Sequence, residues 1–183
     1  MIKTFVFDND GVIQDYTAML DKVATNLGFS VCSNTYSIRT RYGISKLEER
    51  LIYKRISNRR LLRNLSELNG AFDVLKQLQE AGHKIIIATA IDDVLYDDRM
   101  SSYTKHDFVP DKLYCVGNSG KESVYEHYKP DYIFDDQHHH LLEGINHCQN
   151  LICINDGIPQ KKVVEKTFET YKTVKDWYDT SNF

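Results

Sequence analysis

The sequence FVFDNDGV, at residues 5–12, joins a short apolar run to two carboxylates that stand one residue apart. The apolar residues predict a buried strand, and Gly11 can adopt the backbone angles that a turn after the strand requires. In an open parallel sheet, ligands bind outside the carboxyl ends of the strands. Asp and Asn are also ordinary turn residues, so this stretch alone predicts either a turn or a functional site built on Asp8 and Asp10.

Further apolar runs indicate that the first strand belongs to a parallel sheet. The intervals between the later runs suit helical crossovers, which favours an α/β fold with a doubly wound parallel sheet. The five predicted strands cover residues 2–7, 84–88, 112–116, 132–134 and 151–154.

A long helical segment separates the first two predicted strands. Residues 15–69 contain no convincing strand, and a single crossover usually needs far fewer residues. We therefore expect a small helical cap, inserted after the first strand of a core formed by residues 1–14 and 70–183. Helices that simply pack against the sheet are the alternative. Ser45 and Glu48 predict a capping box at the start of one cap helix. Its predicted apolar stripe contains Leu47, Leu51, Ile52, Ile56, Leu61, Leu62 and Leu65.

The composition is that of a soluble globular protein. Among 183 residues, 42% are hydrophobic and 27% are charged, and no apolar run approaches the roughly 18 residues needed to span a bilayer. The first strand begins without a secretory signal pattern, so we expect a cytoplasmic location. The cysteines form no CxxC pair, which predicts buried free thiols rather than disulfides or a zinc site. They are Cys32, Cys115, Cys148 and Cys153.

The net charge of −3 hides a strongly basic segment. Between Arg39 and Arg63, nine basic residues accompany two acidic ones. The segment therefore carries about +7 and the rest of the chain about −10. This imbalance predicts that part of the cap meets an anion or an acidic surface.

Polar side chains recur where the predicted strands end. Because the carboxyl ends of parallel strands lie at one edge of a sheet, we expect these side chains to converge. Clustered carboxylates raise one another's pKa unless a cation lies among them, and an all-oxygen ligand set favours Mg²⁺. A lysine and a hydroxyl beside such a metal suit a phosphoryl group. The residues are Asp8, Asp10, Thr89, Lys121, Asp135 and Asp136.

Taken in chain order, the strand-end residues resemble the four motifs of the haloacid dehalogenase-like (HAD) hydrolase superfamily. The motifs are DNDGV at 8–12, the threonine that closes IIIAT at 85–89, a lysine before the fourth strand, and FDD at 134–136. One motif alone is weakly specific, whereas four at successive strand ends are strongly so. The resemblance covers residues 1 to about 158 and implies a Rossmann-like HAD core with hydrolase activity.

The resemblance also implies a role for each residue. Asp8 would be the nucleophile that forms an aspartyl-phosphate, and Asp10 would be the general acid and base. Dehalogenases of the superfamily lack an acid at the position of Asp10, so the resemblance indicates a phosphatase. Thr89 and Lys121 would hold the phosphoryl oxygens. The Mg²⁺ ligands would be Asp8, the backbone carbonyl of Asp10, and Asp135, with Asp136 close by.

The lysine assignment has alternatives. Lys121 follows a turn at a strand end, but Lys105, Lys112 and Lys129 are rivals for the same role. Lys129 precedes a proline and is expected to lead into the fourth strand from the wrong end.

Two other clusters have structural interpretations. The histidines at 138–140 are expected to begin the helix after the fourth strand. A transition-metal site with His147 and Cys148 is the alternative, which the spacing disfavours. Asp92, Asp93, Asp97 and Asp98 are expected to cap a helix and to line its solvated face.

The cap suggests the kind of substrate. Its arginines alternate with Tyr36, Tyr42 and Tyr53, and cations beside aromatic rings suit a phosphate and a base. A helical insertion of this length is similar to those of small 5'-nucleotidases and deoxyribonucleotidases in the superfamily, and to those of its sugar-phosphate phosphatases. We expect a nucleoside monophosphate as substrate. A sugar phosphate, a nucleic-acid end carrying a phosphate, and an inert binding module are the alternatives.

Overall fold

Six parallel strands form one sheet in the computed structural model, which describes residues 1–155, 157–159 and 168–181. Residues 156, 160–167 and 182–183 of the predicted core segment 70–183 lie outside the described residues. The strands are β1 (Thr4–Phe7), β2 (Lys84–Thr89), β3 (Lys112–Cys115), β4 (Tyr132–Asp135), β5 (Asn150–Ile154) and β6 (Glu169–Tyr171).

The strand order is β3-β2-β1-β4-β5-β6, with every neighbouring pair parallel. This order extends the sheet on both sides of β1 and confirms the predicted doubly wound α/β fold. The sequence did not predict β6. This strand has three residues, and two of them, Glu169 and Thr170, are polar and exposed, so it carries no apolar pattern.

Helices connect the strands and form the segment that follows β1. The longest has 13 residues, and none in the described ranges is long and apolar enough to cross a membrane. The α-helices are α1 (Tyr16–Asn26), α2 (Ile38–Tyr42), α3 (Lys46–Asn58), α4 (Ala71–Glu80), α5 (Tyr96–Thr104), α6 (Glu122–Tyr128), α7 (His138–Glu143) and α8 (Val174–Thr180).

An apolar layer covers each face of the sheet. Because side chains alternate along a strand, Phe5 and Phe7 of β1 join the layer that contains Trp177 of α8. Val6 points to the opposite layer, which contains Leu141 of α7. The sheet is therefore buried on both faces, as expected for parallel strands.

The register of the central strands brings polar residues together. Phe7 is paired with Ile87 on one side and with Phe134 on the other. The backbone N–H of Asp8 then donates to the carbonyl oxygen of Phe134 at 2.8 Å. The first residue after β1 therefore lies beside Asp135, the last residue of β4.

The helices that directly follow β1, from α1 to α3, share an apolar cluster of their own. It contains Leu20 of α1, Ile52 and Ile56 of α3, and Leu62 of a 3₁₀ turn. Ser45 and Glu48 form the predicted capping box. The helices therefore pack on one another, in keeping with a cap, and the boundary at residues 15–69 stays a prediction.

Two leucines of the predicted stripe face solvent instead. Leu47 is 69% exposed and Leu51 is 49% exposed. Ile52 and Ile56 form the buried edge of α3, and Leu51 lies about 100° around the helix from Ile52. The buried stripe is thus narrower than the sequence pattern predicts.

The four cysteines are free. Cys148 and Cys153 are buried as predicted and Cys115 is half-buried, but Cys32 is exposed. The prediction is wrong for Cys32 because this residue lies in the polar loop before α2, outside the cap cluster.

We expect Ile86→Ala to lower the free energy of unfolding by about 2–5 kcal/mol, since it leaves a cavity in a packed core. Ile86 is fully buried at the centre of β2, whereas Ile2 is 75% exposed. Ile2→Ala, the same chemical change at the surface, serves as the control and should cost little. Urea denaturation measures both, and equal losses would contradict the assignment of Ile86 to the core.

Candidate active site

The ammonium group of Lys121 lies between two carboxylates at the edge of the sheet. Its Nζ is 3.0 Å from Oδ1 of Asp8 and 2.6 Å from Oδ2 of Asp135. Lys121 and Asp135 are fully buried, and Asp8 is only 5% exposed. Because an unpaired buried ion is costly, these three side chains fix one another.

The turns after β1 and β4 orient the two carboxylates. The Asp8 Oδ1 accepts a hydrogen bond from the backbone N–H of Asn9 at 2.7 Å. The Asp135 Oδ1 accepts one from the backbone N–H of Gln137 at 2.9 Å. Each side chain is therefore held by a donor of its own turn.

Among the four candidate lysines, Lys121 is the one placed at Asp8. It stands immediately before α6, and its backbone N–H donates to the carboxylate of Glu143 in α7. Lys105, Lys112 and Lys129 are all exposed. The structure therefore brings the preferred lysine to the expected nucleophile.

The burial and the neighbouring charges shift the pKa values of Asp8 and Lys121. Burial raises the pKa of Asp8 to about 6, against the lowering effect of Lys121, and the charge of Asp135 adds to the rise. Burial by itself lowers the pKa of Lys121, but Asp135 and Asp8 outweigh it and hold that pKa well above its usual value. The lysine is thus a permanent cation at neutral pH.

Three carboxylates at this edge have the spacing of a metal site. Asp8, Asp135 and Asp136 each offer an oxygen, and these atoms lie within 4.8 Å of one another. When ionised, the three carry a charge of −3, which Lys121 offsets by only one unit. A divalent cation would compensate the rest, and the all-oxygen donor set suits Mg²⁺. These residues therefore fit the expected metal.

Gly11 lies directly against this cluster. Its φ is +82°, and a Cβ built there would stand 2.5 Å from Oδ2 of Asp136. Glycine at this position thus serves both the turn and the close approach of the Asp136 carboxylate.

Thr89 is the last residue of β2 and is fully buried. Its hydroxyl oxygen has no hydrogen-bond partner among the described residues. A buried hydroxyl without a partner is costly, which is in keeping with the phosphoryl contact expected of this residue.

The side chain of Asp10 is paired with an arginine that the sequence did not predict. One terminal nitrogen of Arg99 lies 2.7 Å from Oδ1 and 2.9 Å from Oδ2 of Asp10. The other terminal nitrogen donates to Oε1 of Gln14 at 3.2 Å. Arg99 is fully buried in α5. The guanidinium of Arg99 therefore contacts the carboxylate of Asp10, the expected general acid.

Two more residues of α5 bind the turn after β1. The hydroxyl of Tyr103 donates to Oδ1 of Asn9 at 2.8 Å, and that of Ser102 accepts from Nε2 of Gln14 at 2.6 Å. The Asn9 amide in turn donates to Oδ1 of Asp10 at 2.7 Å. The helix thus holds the turn through several hydrogen bonds.

The acidic run before Arg99 is less solvated than predicted. Asp92 caps a 3₁₀ turn as expected, accepting from the backbone N–H of Val94. Asp98, however, is only 5% exposed. Its Oδ1 accepts from Arg60 at 2.8 Å and from Arg63 at 2.7 Å. The solvated-face prediction is therefore wrong for Asp98, because two cap arginines cover it.

Several other basic residues of the cap are also paired within the protein. Arg41 is buried and forms an ion pair with Asp21 at 2.7 Å. Arg39 lies 3.6 Å from Glu49. Four of the nine basic residues between Arg39 and Arg63 are therefore in ion pairs within the protein. The basic residues without an ion pair in the described part of the chain are Lys46, Arg50, Lys54, Arg55 and Arg59.

The three histidines begin α7, as predicted. His140 Nδ1 lies 3.0 Å from the Glu143 carboxylate, and the His139 and His140 rings are 3.9 Å apart. Within the described ranges, only the aspartate cluster has metal-binding spacing. Within α7, the described contact of His140 is thus with Glu143 of the same helix.

A cavity of about 840 Å³ separates the cap from the strand ends. Asp8 and Asp10 lie in its wall, as do Tyr16, Tyr36 and Tyr53 of the cap. The Tyr36 hydroxyl donates to the backbone carbonyl oxygen of Asp136 at 3.1 Å. Tyr42, also expected at the substrate, is buried instead and donates to Asp21.

Comparison with solved structures shows close overall likeness at low sequence identity. A haloacid dehalogenase-like hydrolase from Streptococcus pneumoniae matches with a TM-score of 0.67 and 17% identity, covering 97% of this chain and 98% of its own. A putative phosphatase from Clostridium difficile matches at 0.66 and 13%, covering 97% of each chain. A putative β-phosphoglucomutase from Thermotoga maritima matches at 0.62 and 16%, covering 88% and 89%. These matches establish the HAD-like fold.

No family model and no curated protein matches the sequence. The fold therefore rests on the structural likeness, and the activity has to be argued from the site.

We expect Gly11→Ala to lower the free energy of unfolding by about 1–3 kcal/mol more than Gly82→Ala does. Both glycines have φ near +84°, so both variants carry the same left-handed backbone penalty. A Cβ at Gly82 has no atom within 4 Å, whereas one at Gly11 meets Asp136. Urea denaturation compares the two, and equal losses would contradict the close contact with Asp136.

Proposed function

We propose that this chain is a Mg²⁺-dependent phosphomonoester hydrolase that works through an aspartyl-phosphate. The observation that carries the proposal is the contact of the Asp8 carboxylate with Lys121, 3.0 Å away, beside Asp135 and Asp136. A nucleophilic carboxylate next to a cation and a metal-binding cluster suits attack on a phosphoryl group.

The first step would transfer the phosphoryl group to Asp8. An oxygen of the Asp8 carboxylate attacks phosphorus and forms a new P–O bond, while the bond to the leaving oxygen breaks and its electron pair stays with that oxygen. Asp10 donates a proton to the leaving oxygen, which departs as an alcohol.

The second step would release phosphate. A water molecule attacks the phosphorus of the aspartyl-phosphate while the Asp10 carboxylate accepts its proton. The P–O bond to Asp8 breaks, leaving inorganic phosphate and the free Asp8 carboxylate. Asp10 thereby returns to its starting protonation state.

Protein donors at the same edge would hold the phosphoryl oxygens. An ammonium has three donors, and the Lys121 contacts with Asp8 and Asp135 use two of them. The buried Thr89 hydroxyl offers another. Asp8, Asp135 and Asp136 would hold Mg²⁺, which when bound supplies positive charge for the phosphoryl oxygens.

The cavity supports a nucleoside monophosphate as the substrate. Its volume of about 840 Å³ lies within the usual range for small-molecule sites, roughly 300–1,000 Å³. Tyr16 and Tyr53 lie in its wall, and aromatic side chains can stack on a base. Arg39 also lines the cavity, where it lies 3.6 Å from Glu49. Sugar monophosphates and oligonucleotide ends belong in the same assay panel, and a substrate among them would replace this assignment.

We expect the purified protein to hydrolyse 4-nitrophenyl phosphate with Mg²⁺, and Asp8→Asn and Asp10→Asn to abolish turnover. Asp8→Asn removes the nucleophile, and Asp10→Asn removes the base of the second step, which is needed even when 4-nitrophenolate leaves without a proton. The control is Asp73→Asn, the same change at an exposed position of α4, which should keep full activity. Chelation by EDTA should stop the reaction and added Mg²⁺ should restore it. Normal turnover by Asp8→Asn would rule out the mechanism, and a wild-type protein inactive on every phosphomonoester would indicate a binding module.

We expect Tyr53→Ala to raise the KM for a nucleoside monophosphate about fivefold or more, because base stacking contributes about 1–3 kcal/mol. The KM for glycerol phosphate, which has no ring, should change little. Tyr96→Ala provides the control, since Tyr96 is 42% exposed and lies outside the cavity wall. An equal rise in KM for both substrates would count against stacking on Tyr53.

A further inference from the structure

We propose that Arg99 is a positioning residue that holds the Asp10 carboxylate so that its Oδ2 atom exchanges the proton with the leaving group. This inference rests on the proposed phosphatase activity and adds a residue that acts only through Asp10.

The contact fixes both oxygens of Asp10. One terminal nitrogen of Arg99 lies 2.7 Å from Oδ1 and 2.9 Å from Oδ2. Rotation of the Asp10 side chain away from this nitrogen would leave a buried guanidinium without its anion, which is costly. The pairing therefore restricts Asp10 to a narrow range of orientations.

Arg99 itself is held through its two terminal nitrogens, while its Nε has no hydrogen-bond partner among the described residues. It is fully buried in α5, and its second terminal nitrogen donates to Gln14 at 3.2 Å. Gln14 is tied in turn to Ser102, one helical turn further along α5. The guanidinium is thus held at both ends, which is what a positioning group requires.

The two carboxylate oxygens of Asp10 differ in the number of hydrogen bonds that they already accept. Oδ1 accepts hydrogen bonds from Arg99 and from the Asn9 amide. Within the described residues, Oδ2 accepts from Arg99 alone. The side chain of Asp10 is 22% exposed and lines the cavity. Oδ2 therefore has a free lone pair for a proton, and this geometry assigns the proton transfer to that atom.

Loss of this positioning should depend on the leaving group. An alkoxide is a poor leaving group and needs a proton as the P–O bond breaks, whereas 4-nitrophenolate is a stable anion that needs little help. The value of kcat/KM reports this first step and is independent of how fast the aspartyl-phosphate is later hydrolysed. A purely structural defect lowers kcat/KM for both substrates by the same factor.

The experiment measures kcat/KM of wild-type protein and Arg99→Met for an alkyl phosphate and for 4-nitrophenyl phosphate, with Mg²⁺. We expect a loss of about 100-fold for the alkyl phosphate, the lower end of what proton transfer contributes, and of less than about tenfold for 4-nitrophenyl phosphate. Arg99→Lys retains a single nitrogen that can reach both oxygens, so it should bring the ratio of the two losses back toward the wild-type value. Arg99→Gln replaces Arg99→Met if circular dichroism shows that the latter is unfolded.

The matched control is Asp98→Asn. Asp98 is the neighbouring residue in α5 and is also buried and ion-paired, but its partners are Arg60 and Arg63 of the cap. This variant should change kcat/KM for the two substrates by the same factor. Equal losses for both substrates in the Arg99 variants would overturn the inference and leave the phosphatase proposal standing. A wild-type protein that hydrolyses neither substrate would overturn both.

Discussion

The ion pairs of Lys121 with Asp8 and Asp135 are the constraint on which the site depends. The topology places β1 beside β4, so the residues that end these strands must meet. Carboxylates in such a position repel one another and are poorly solvated. Lys121 offsets this repulsion from a third element, the start of α6, and Glu143 of α7 binds the backbone of the same residue. One buried ammonium therefore holds together the end of β1, the end of β4 and the start of α6.

The helix α5 imposes a second constraint on the same turn. Arg99 and Tyr103 bind the residues that follow β1, while Asp98 binds two arginines of the cap. Adjacent residues of one helical turn thus contact the expected general acid and the cap. Buried, hydrogen-bonded networks of this kind specify a single arrangement, because a half-satisfied member is costly.

Most of the sheet and of the strand-end residues follow from the sequence. The core strands are continuous apolar runs, and a parallel sheet gathers whatever polar residues end them. Asp8, Lys121 and Asp135 were therefore predictable as neighbours, and Thr89 as the residue that ends β2. The sequence favoured Lys121 over its rivals by its place after a strand, and the structure places it at Asp8.

The parts that sequence reasoning missed depend on tertiary pairing. Arg99 and Asp98 stand in a polar run that resembles a solvated helix face, and the partners that make their burial possible lie far away in the chain. The only local signal is Tyr103, which stands four residues after Arg99 and so shares its side of the helix. Strand β6 and the exposure of Leu47 were not predicted for a related reason, since hydrophobic periodicity does not show which neighbouring element covers a residue.

The ion pairs of Asp98 have a consequence for recombining caps and cores. A cap moved to this core from another protein would arrive without Arg60 and Arg63, and would leave a buried carboxylate uncompensated next to Arg99. A transplanted cap must therefore bring cations for Asp98, or the core must lose that acid. Any exchange of the segment that follows β1 must therefore keep the charge balance at Asp98, one residue away from the guanidinium that pairs with Asp10.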